Sequence, residues 1–382
     1  MGNGPVTHTW ESYGLKPGAE QFPLMIILAV AYPCNALCPH CPYTNSDIRK
    51  SYRDTPWIAP ELFKKIADEA GKYGAYIRIT GGGEPFLHKD LVEMVEYAKS
   101  VGARIGIITN GSKCTPDKID RLLACHTDAI EYSVDADDPQ TYAIVRKGLD
   151  WETLLKNVHY TIEKRNALKS ETKIIASVVH QDIIADKIDR VINFWSGLVD
   201  TVIKRKFLTW GYNTRLTAEK SGDPSAYLGE GVPCPFPFER LNIDTRGQVM
   251  VCGFDISGVT NFGNVNHQSI GEIWRGPQFE AWRQKHLEGR GGEIDMCSQC
   301  PDWKYRSWTH NYWKVLGTAG EVRKARLSKL DFNDMEGEMS VNERELMLEL
   351  ENPAHQRAFN GNGNGKGPNG GVSPKPSVDD LP

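Results

Sequence analysis

Cys34-Asn35-Ala36-Leu37-Cys38-Pro39-His40-Cys41 sets three thiols at C-x3-C-x2-C spacing, just after an apolar run, Met25 to Ala31, that reads as a buried strand. Three thiolates on one tight loop can hold three irons of a cubane and leave the fourth iron an open position, since iron–sulfur clusters are ligated by cysteine thiolates. The competing uses are a zinc site and three incidental thiols. Zinc favours a fourth ligand close by, and His40, between two of the cysteines, would direct its ring away from a shared metal. Ligand preferences therefore favour a cluster over zinc here. Cys234, Cys252, Cys297 and Cys300 form a second group of four, which could hold either zinc or a [4Fe–4S] cluster.

The elements that must position these thiols follow from the hydrophobic pattern. Apolar strands are expected at 25–31, 76–80, 103–108, 129–134, 173–179 and 199–207, with amphipathic helices at 60–73, 89–101, 116–124, 151–165 and 183–195. Six strands joined by helices of crossover length imply a parallel sheet with right-handed connections. Six units are too few for a closed eight-stranded barrel. The expectation is an α/β fold, a partial (β/α)6 TIM-like barrel, followed by a small auxiliary domain of a β-hairpin and helices. Chemistry in such barrels lies in loops at the C-terminal ends of the strands, which is where Cys34 to Cys41 falls. The predicted organisation is an N-terminal arm over 1–24, the barrel over 25–208 and a polar linker over 209–230. The auxiliary domain then covers 231–319, a charged helical extension 320–358, and a Gly-, Asn- and Pro-rich disordered tail 359–382. Within 231–319, Leu241 to Cys252 reads as a hairpin turning at Arg246-Gly247, and Ser269 to His286 as a helix broken at Gly276-Pro277.

The second strand leads into Thr80-Gly81-Gly82-Gly83-Glu84-Pro85. Three glycines permit backbone conformations closed to other residues and let a ligand approach the main chain, and Glu84 adds a carboxylate able to accept from an ammonium. By itself this is also how an ordinary turn looks. Thr109-Asn110-Gly111, ending the third strand, reads as a turn.

A strand followed by C-x3-C-x-(aromatic)-C, with His40 in the aromatic slot, resembles the signature of the radical S-adenosylmethionine (SAM) superfamily. The resemblance implies that Cys34, Cys38 and Cys41 hold a [4Fe–4S] cluster whose open iron binds the amino and carboxylate groups of SAM. An electron from the reduced cluster then cleaves SAM to methionine and a 5′-deoxyadenosyl radical. Gly81, Gly82, Gly83 and Glu84 resemble the family's GGEP motif, which hydrogen-bonds the amino group of SAM. Ser133 and Asp135 match contacts to the SAM ribose or carboxylate, Arg146 an arginine aimed at the carboxylate, and Val178 and Val179 residues beside the adenine. The spacing C-x17-C, 44 residues, C-x2-C of the second group resembles the auxiliary-cluster Twitch domain, a shortened SPASM, as found in dehydrogenases of 2-deoxy-scyllo-inosamine. The implied cofactors are two [4Fe–4S] clusters and SAM, with an external electron donor such as flavodoxin or ferredoxin.

Composition narrows the partners. The chain has 382 residues, and a net charge of −4 gives no electrostatic case for nucleic acid or an anionic membrane. Apolar runs fall short of membrane-spanning length, and nine cysteines without a secretion signal point to metal or redox chemistry in a soluble, cytoplasmic protein. If all four auxiliary cysteines ligate iron, that cluster has no open site and would take an electron from a substrate radical. The resemblance to the inosamine dehydrogenases then implies oxidation of a secondary alcohol on a sugar or aminocyclitol in antibiotic biosynthesis. Lys204 and Arg205, at the end of the sixth strand, are candidates for the base or hydroxyl contact. Epimerisation of a sugar or peptide residue is an alternative needing a hydrogen-atom donor, for which Cys114 and Cys125 are free. Maturation of a ribosomal peptide is the other, with too few residues before the first strand for a peptide-binding winged helix.

Overall fold

The computed structural model describes residues 20–206, 234 and 236–300, apart from single positions 45, 53, 254, 257, 259 and 299. The expected arm up to residue 19, the linker, the auxiliary segment from residue 301 on, and the extension and tail lie outside the described residues.

Six parallel strands, β1 (Met25–Leu28), β2 (Tyr76–Ile79), β3 (Arg104–Thr109), β4 (Ala129–Ser133), β5 (Lys173–His180) and β6 (Thr201–Lys206), stand in chain order across one sheet. The crossovers carry α2 (Pro60–Tyr73), α3 (Leu91–Ser100), α4 (Pro116–Ala124), α6 (Trp151–Leu168) and α7 (Ile188–Ser196). Proline opens α2 and α4, where its missing N–H costs no helical bond. The short helices α1 (Ser46–Ser51) and α5 (Pro139–Val145) were not visible in the apolar pattern; α5 is set by Asp138, whose carboxylate caps the Thr141 N–H.

The partial barrel is as expected, with one addition. The hairpin of the auxiliary segment, β7 (Arg240–Ile243) and β8 (Val249–Met250), is not a separate sheet. β7 pairs in parallel with β1, register Ile27 to Asn242, so the order runs β6-β5-β4-β3-β2-β1-β7-β8. A four-residue run, RLNI, carries no sequence mark of a partner more than 200 residues upstream.

Strand alternation sorts the sheet into two faces. Ile26, Leu28, Ile77, Ile79, Ile105, Ile107, Ile130, Ile174, Ala176, Leu241 and Ile243 face the helices in one continuous core. The opposite, concave face has an apolar floor of Met25, Tyr76, Ala129, Ile175 and Ile203. Toward the C-terminal ends of the strands this face turns polar, with Arg78, Glu131, Ser133, Ser177, Arg205 and Asn242.

Candidate active site

The loop after β1 is held by main-chain bonds on three sides. Ile58 N donates to Val30 O, Leu37 N to Lys147 O at 2.7 Å, and Glu84 N to Pro33 O at 2.9 Å. Cys41 N donates to Cys38 O, closing the loop into a turn. Asn35 adds a side-chain clamp, its Nδ2 donating to Ser112 Oγ and its Oδ1 accepting from Asn110 Nδ2 at 3.0 Å. The Thr109-Asn110-Gly111 segment that reads as a plain turn is thus an anchor of the cysteine loop.

Glu84 is 2 % exposed and fully engaged by the protein. Its carboxylate accepts from Phe86 N at 3.0 Å, Thr109 Oγ1 at 2.7 Å and Asn110 N at 2.7 Å. Burial raises its pKa, opposed by these donors. The carboxylate therefore ties the β2 loop to the β3 loop. The glycines before it serve packing as much as ligand approach: a Cβ on Gly83 would stand 2.1 Å from Pro33 O, and one on Gly82 2.5 Å from the Tyr32 ring.

A second cluster gathers His40, Asp135, Arg146 and Val179. Asp135, fully buried and at φ 53, lies two residues past the end of β4. Its carboxylate accepts from Val179 N at 2.6 Å and Gln181 Nε2 at 3.3 Å, ion-pairs with Arg146 Nη2 at 2.6 Å, and faces His40 Nε2 at 3.6 Å. Arg146 Nη1 donates to Cys38 Sγ at 3.8 Å. Burial, then Arg146, lowers the pKa of His40 to about 4 against the pull of Asp135, so the ring is neutral. Three buried polar atoms here, His40 Nδ1, Arg146 Nε and Tyr142 Oη, hydrogen-bond to nothing among the described residues. A zwitterion carrying both donors and acceptors beside the thiols would engage them.

Asp135→Asn keeps the size and the Val179 bond but leaves the Arg146 charge buried without its carboxylate. Removing one partner of a buried pair typically costs 3–5 kcal/mol; the expected loss is about 3 kcal/mol, read from the urea midpoint. A smaller loss in the Asp135→Asn/Arg146→Met double variant would confirm that the charge is the cause.

The thiols themselves test the fit of a cluster. Cys41 is half-buried, and burial of its thiol, then Cys38 and Cys34, pushes its pKa up to about 12. Three neighbouring thiols would repel one another once ionised, and cationic irons among them would relieve that repulsion. The second group behaves alike: burial, then Cys234, Cys252 and Cys300, raises the Cys297 thiol well above its ordinary range. Among the described residues no three His, Cys, Asp or Glu side chains converge as on a single metal ion; what the two groups offer is neighbouring thiols, the donor type that iron–sulfur clusters take.

The remaining predicted residues divide. Ser133 and Arg205 lie on the concave face; Arg205 donates to Ser177 Oγ at 2.6 Å and pairs with Glu131 at 2.5 Å, while Arg78 takes the other oxygen of Glu131 at 3.2 Å. Burial opposes ionisation of Glu131, but Arg205 and Arg78 outweigh it and hold its pKa below the ordinary carboxylate value. Lys204 is paired with Val178 on the opposite face and is exposed, away from the concave site. Cys114 is also misplaced for hydrogen donation: it is fully buried in the helix-side core, its sulfur 3.7 Å from Thr109 Oγ1. Val178 likewise belongs to that core, leaving Val179 on the concave side.

Arg78, Glu131, Gln181, Asn242 and His286 were not singled out by the sequence. A signal existed for two of them: Arg78 and Glu131 are charges inside otherwise apolar strands, at positions facing away from the helices. A tyrosine stack links the two cysteine segments. Tyr32 and Tyr52 lie 3.4 Å apart at 12°, Tyr52 Oη donates to Ile256 O at 2.9 Å, and the Arg246 guanidinium lies 4.7 Å from the Tyr52 ring centre.

Comparison with known proteins agrees with this geometry. Residues 30–180 match the radical SAM superfamily and residues 234–301 an iron-sulfur cluster-binding domain, SPASM. The chain carries a radical SAM domain followed by a SPASM domain, and these domains imply SAM and [4Fe–4S] clusters as its cofactors. The PqqA peptide cyclase of Xanthomonas campestris pv. campestris is 24% identical over 342 residues, spanning 78% of this chain and 85% of that protein. Streptococcus suis SuiB bound to the precursor peptide SuiA shares the fold at TM-score 0.57 and 14% identity, over 72% of this chain and 68% of SuiB. BtrN in complex with AdoMet and 2-DOIA does so at TM-score 0.51 and 18% identity, over 75% of this chain and 96% of BtrN. No helix among the described residues is long and apolar enough to cross a membrane.

Proposed function

We propose that this enzyme modifies a peptide, removing hydrogen from an unactivated C–H of one of its residues. The observation that carries the reading is the extended likeness to PqqA peptide cyclases, which runs through both the barrel and the SPASM segment. When bound, the clusters and SAM supply the electron and the 5′-deoxyadenosyl radical; the chain's own residues bind, orient and exclude side reactions. Cys34, Cys38 and Cys41 would hold the SAM-binding cluster, and Cys234, Cys252, Cys297 and Cys300 the auxiliary one. His40, Asp135, Arg146 and the backbone at Val179 would frame SAM, with Gly81 to Glu84 fixing the loop beneath it.

Asn242 supports a peptide substrate. It stands on the concave face in the row Arg78–Ile27–Asn242, is 2 % exposed, and its Oδ1 lies 3.4 Å from where a Cβ on Gly253, next to Cys252, would be. Neither its Nδ2 nor its Oδ1 hydrogen-bonds to a described residue. A carboxamide offering one donor edge and one acceptor is complementary to a peptide group. Asn242→Leu should therefore raise the stability of the free enzyme by about 1 kcal/mol, since a buried unsatisfied amide is costly. Peptide turnover should fall at least tenfold in kcat/KM. Calorimetry and product mass spectrometry check the two halves, and a stability loss without a kinetic effect would refute the assignment.

The function is tested by incubating the anaerobically reconstituted enzyme with SAM, reductant and a pool of synthetic peptides. The expected product is a peptide lighter by two hydrogen atoms, with deuterium from a labelled residue appearing in 5′-deoxyadenosine. Oxidation of an aminocyclitol alcohol is the second reading, favoured by the placement of Arg205 beside Glu131 on the concave face. A ketone formed from 2-deoxy-scyllo-inosamine, with the peptides unchanged, would select it.

A further inference from the structure

We infer that His286 is a positioning residue of the auxiliary cluster, clamped in one neutral tautomer so that its Nε2–H donates to the sulfur of Cys297. His286 ends the helix Pro277–Leu287 and is 6 % exposed. Its Nδ1 faces the backbone N–H of Cys234 at 3.4 Å. A backbone N–H can only donate, so Nδ1 accepts, and a neutral imidazole that accepts at Nδ1 carries its proton on Nε2. Nε2 lies 3.6 Å from Cys297 Sγ. The ring thus bridges two members of the cysteine group, accepting from the main chain of one and donating to the sulfur of the other.

Two further features make this a built arrangement. Trp282, one helical turn earlier and so on the same face, also hydrogen-bonds the Cys297 sulfur through its side chain. A Cβ on Gly291 would stand 2.9 Å from both Cε1 and Nδ1 of the ring, so the glycine lets the following turn close over the imidazole and hold its orientation. Cys297 thereby receives two N–H donors. Hydrogen bonds to cluster sulfurs are among the determinants of iron–sulfur potentials. A donor stabilises the added negative charge of the reduced form, so His286 shifts the auxiliary cluster toward accepting an electron. This holds whichever substrate the enzyme takes.

The test is an anaerobic, EPR-monitored redox titration of the full reconstituted chain. His286→Leu should weaken reduction of the auxiliary cluster about tenfold, which for a one-electron couple is a fall of about 59 mV, with the barrel cluster unmoved. His286→Gln keeps an acceptor and an N–H donor on one carboxamide and should restore most of the potential. An unchanged potential in His286→Leu, or an equal shift of both clusters, would overturn the inference. Should His286→Leu lose auxiliary iron, Gly291→Ala displaces the ring without deleting it. A lowered auxiliary potential at full iron content then supports the inference, and an unaltered one refutes it.

Discussion

Replacing Cys34, Cys38 and Cys41 together by alanine is expected to abolish SAM cleavage and to leave about four of about eight irons, the count for two four-iron clusters. The basis is electrostatic as well as geometric. The three thiols sit close enough together that burial, then Cys38 and Cys34, lift the Cys41 pKa to about 12. Such a loop is unfavourable for three thiolates and favourable for three thiolates around cationic irons. Deleting them removes both the ligands and the reason for the charge, so the loop should persist through its bonds to Val30, Lys147 and Pro33 while the cluster does not. Iron and sulfide counting after anaerobic reconstitution, with 5′-deoxyadenosine measured by chromatography, reads both effects. Retention of cleavage in the triple variant would refute the placement of the SAM-binding cluster. Four irons plus bound zinc in the wild type would assign the second group to zinc and remove the electron acceptor from the mechanism.

The sequence made the barrel legible because its signals are local. Each strand is a short apolar run followed by a helix with one apolar face, and Pro60 and Pro116 mark helix starts that the structure places at the same residues. The three barrel cysteines stood out by their spacing directly after a strand, whereas the second group of four suits zinc as well as a cluster by residue type alone. What escaped was whatever depends on contact across the sheet. β7 joins β1 through four residues that look like one arm of a hairpin and nothing more. Asn242 acquires meaning only from that pairing, which turns it onto the concave face beside Ile27 and Arg78. His286 looks like the end of an amphipathic helix until the chain brings Cys234 and Cys297 to its two nitrogens. Cys114 shows the converse error. It follows a loop on the catalytic rim, yet the turn through Gly111 carries it back into the helix-side core against Thr109.

The glycine run yields the sharpest contrast between two neighbouring positions. Gly83→Ala is expected to cost the barrel its cluster, whereas Gly81→Ala should keep it. A Cβ at Gly83 would meet Pro33 O at 2.1 Å and Tyr32 O at 2.5 Å, both main-chain atoms of the segment that leads into Cys34. No side-chain rotation relieves that clash. The cysteine loop must lift, and its bond from Glu84 N to Pro33 O at 2.9 Å is strained or lost with it. Overpacking alone typically costs 1–3 kcal/mol, and here the displaced atoms carry the ligands, so iron content should fall by about half, to the four of the auxiliary cluster. At Gly81 the nearest atom to a Cβ is Ala29 Cβ at 3.9 Å, an ordinary contact, but φ is 85°. The penalty there is the left-handed backbone strain of about 1–2 kcal/mol, seen as a lower melting temperature at unchanged iron content. If both variants keep all their iron, the glycines do not set the loop, and ligand approach to the main chain regains its place as the reason for them.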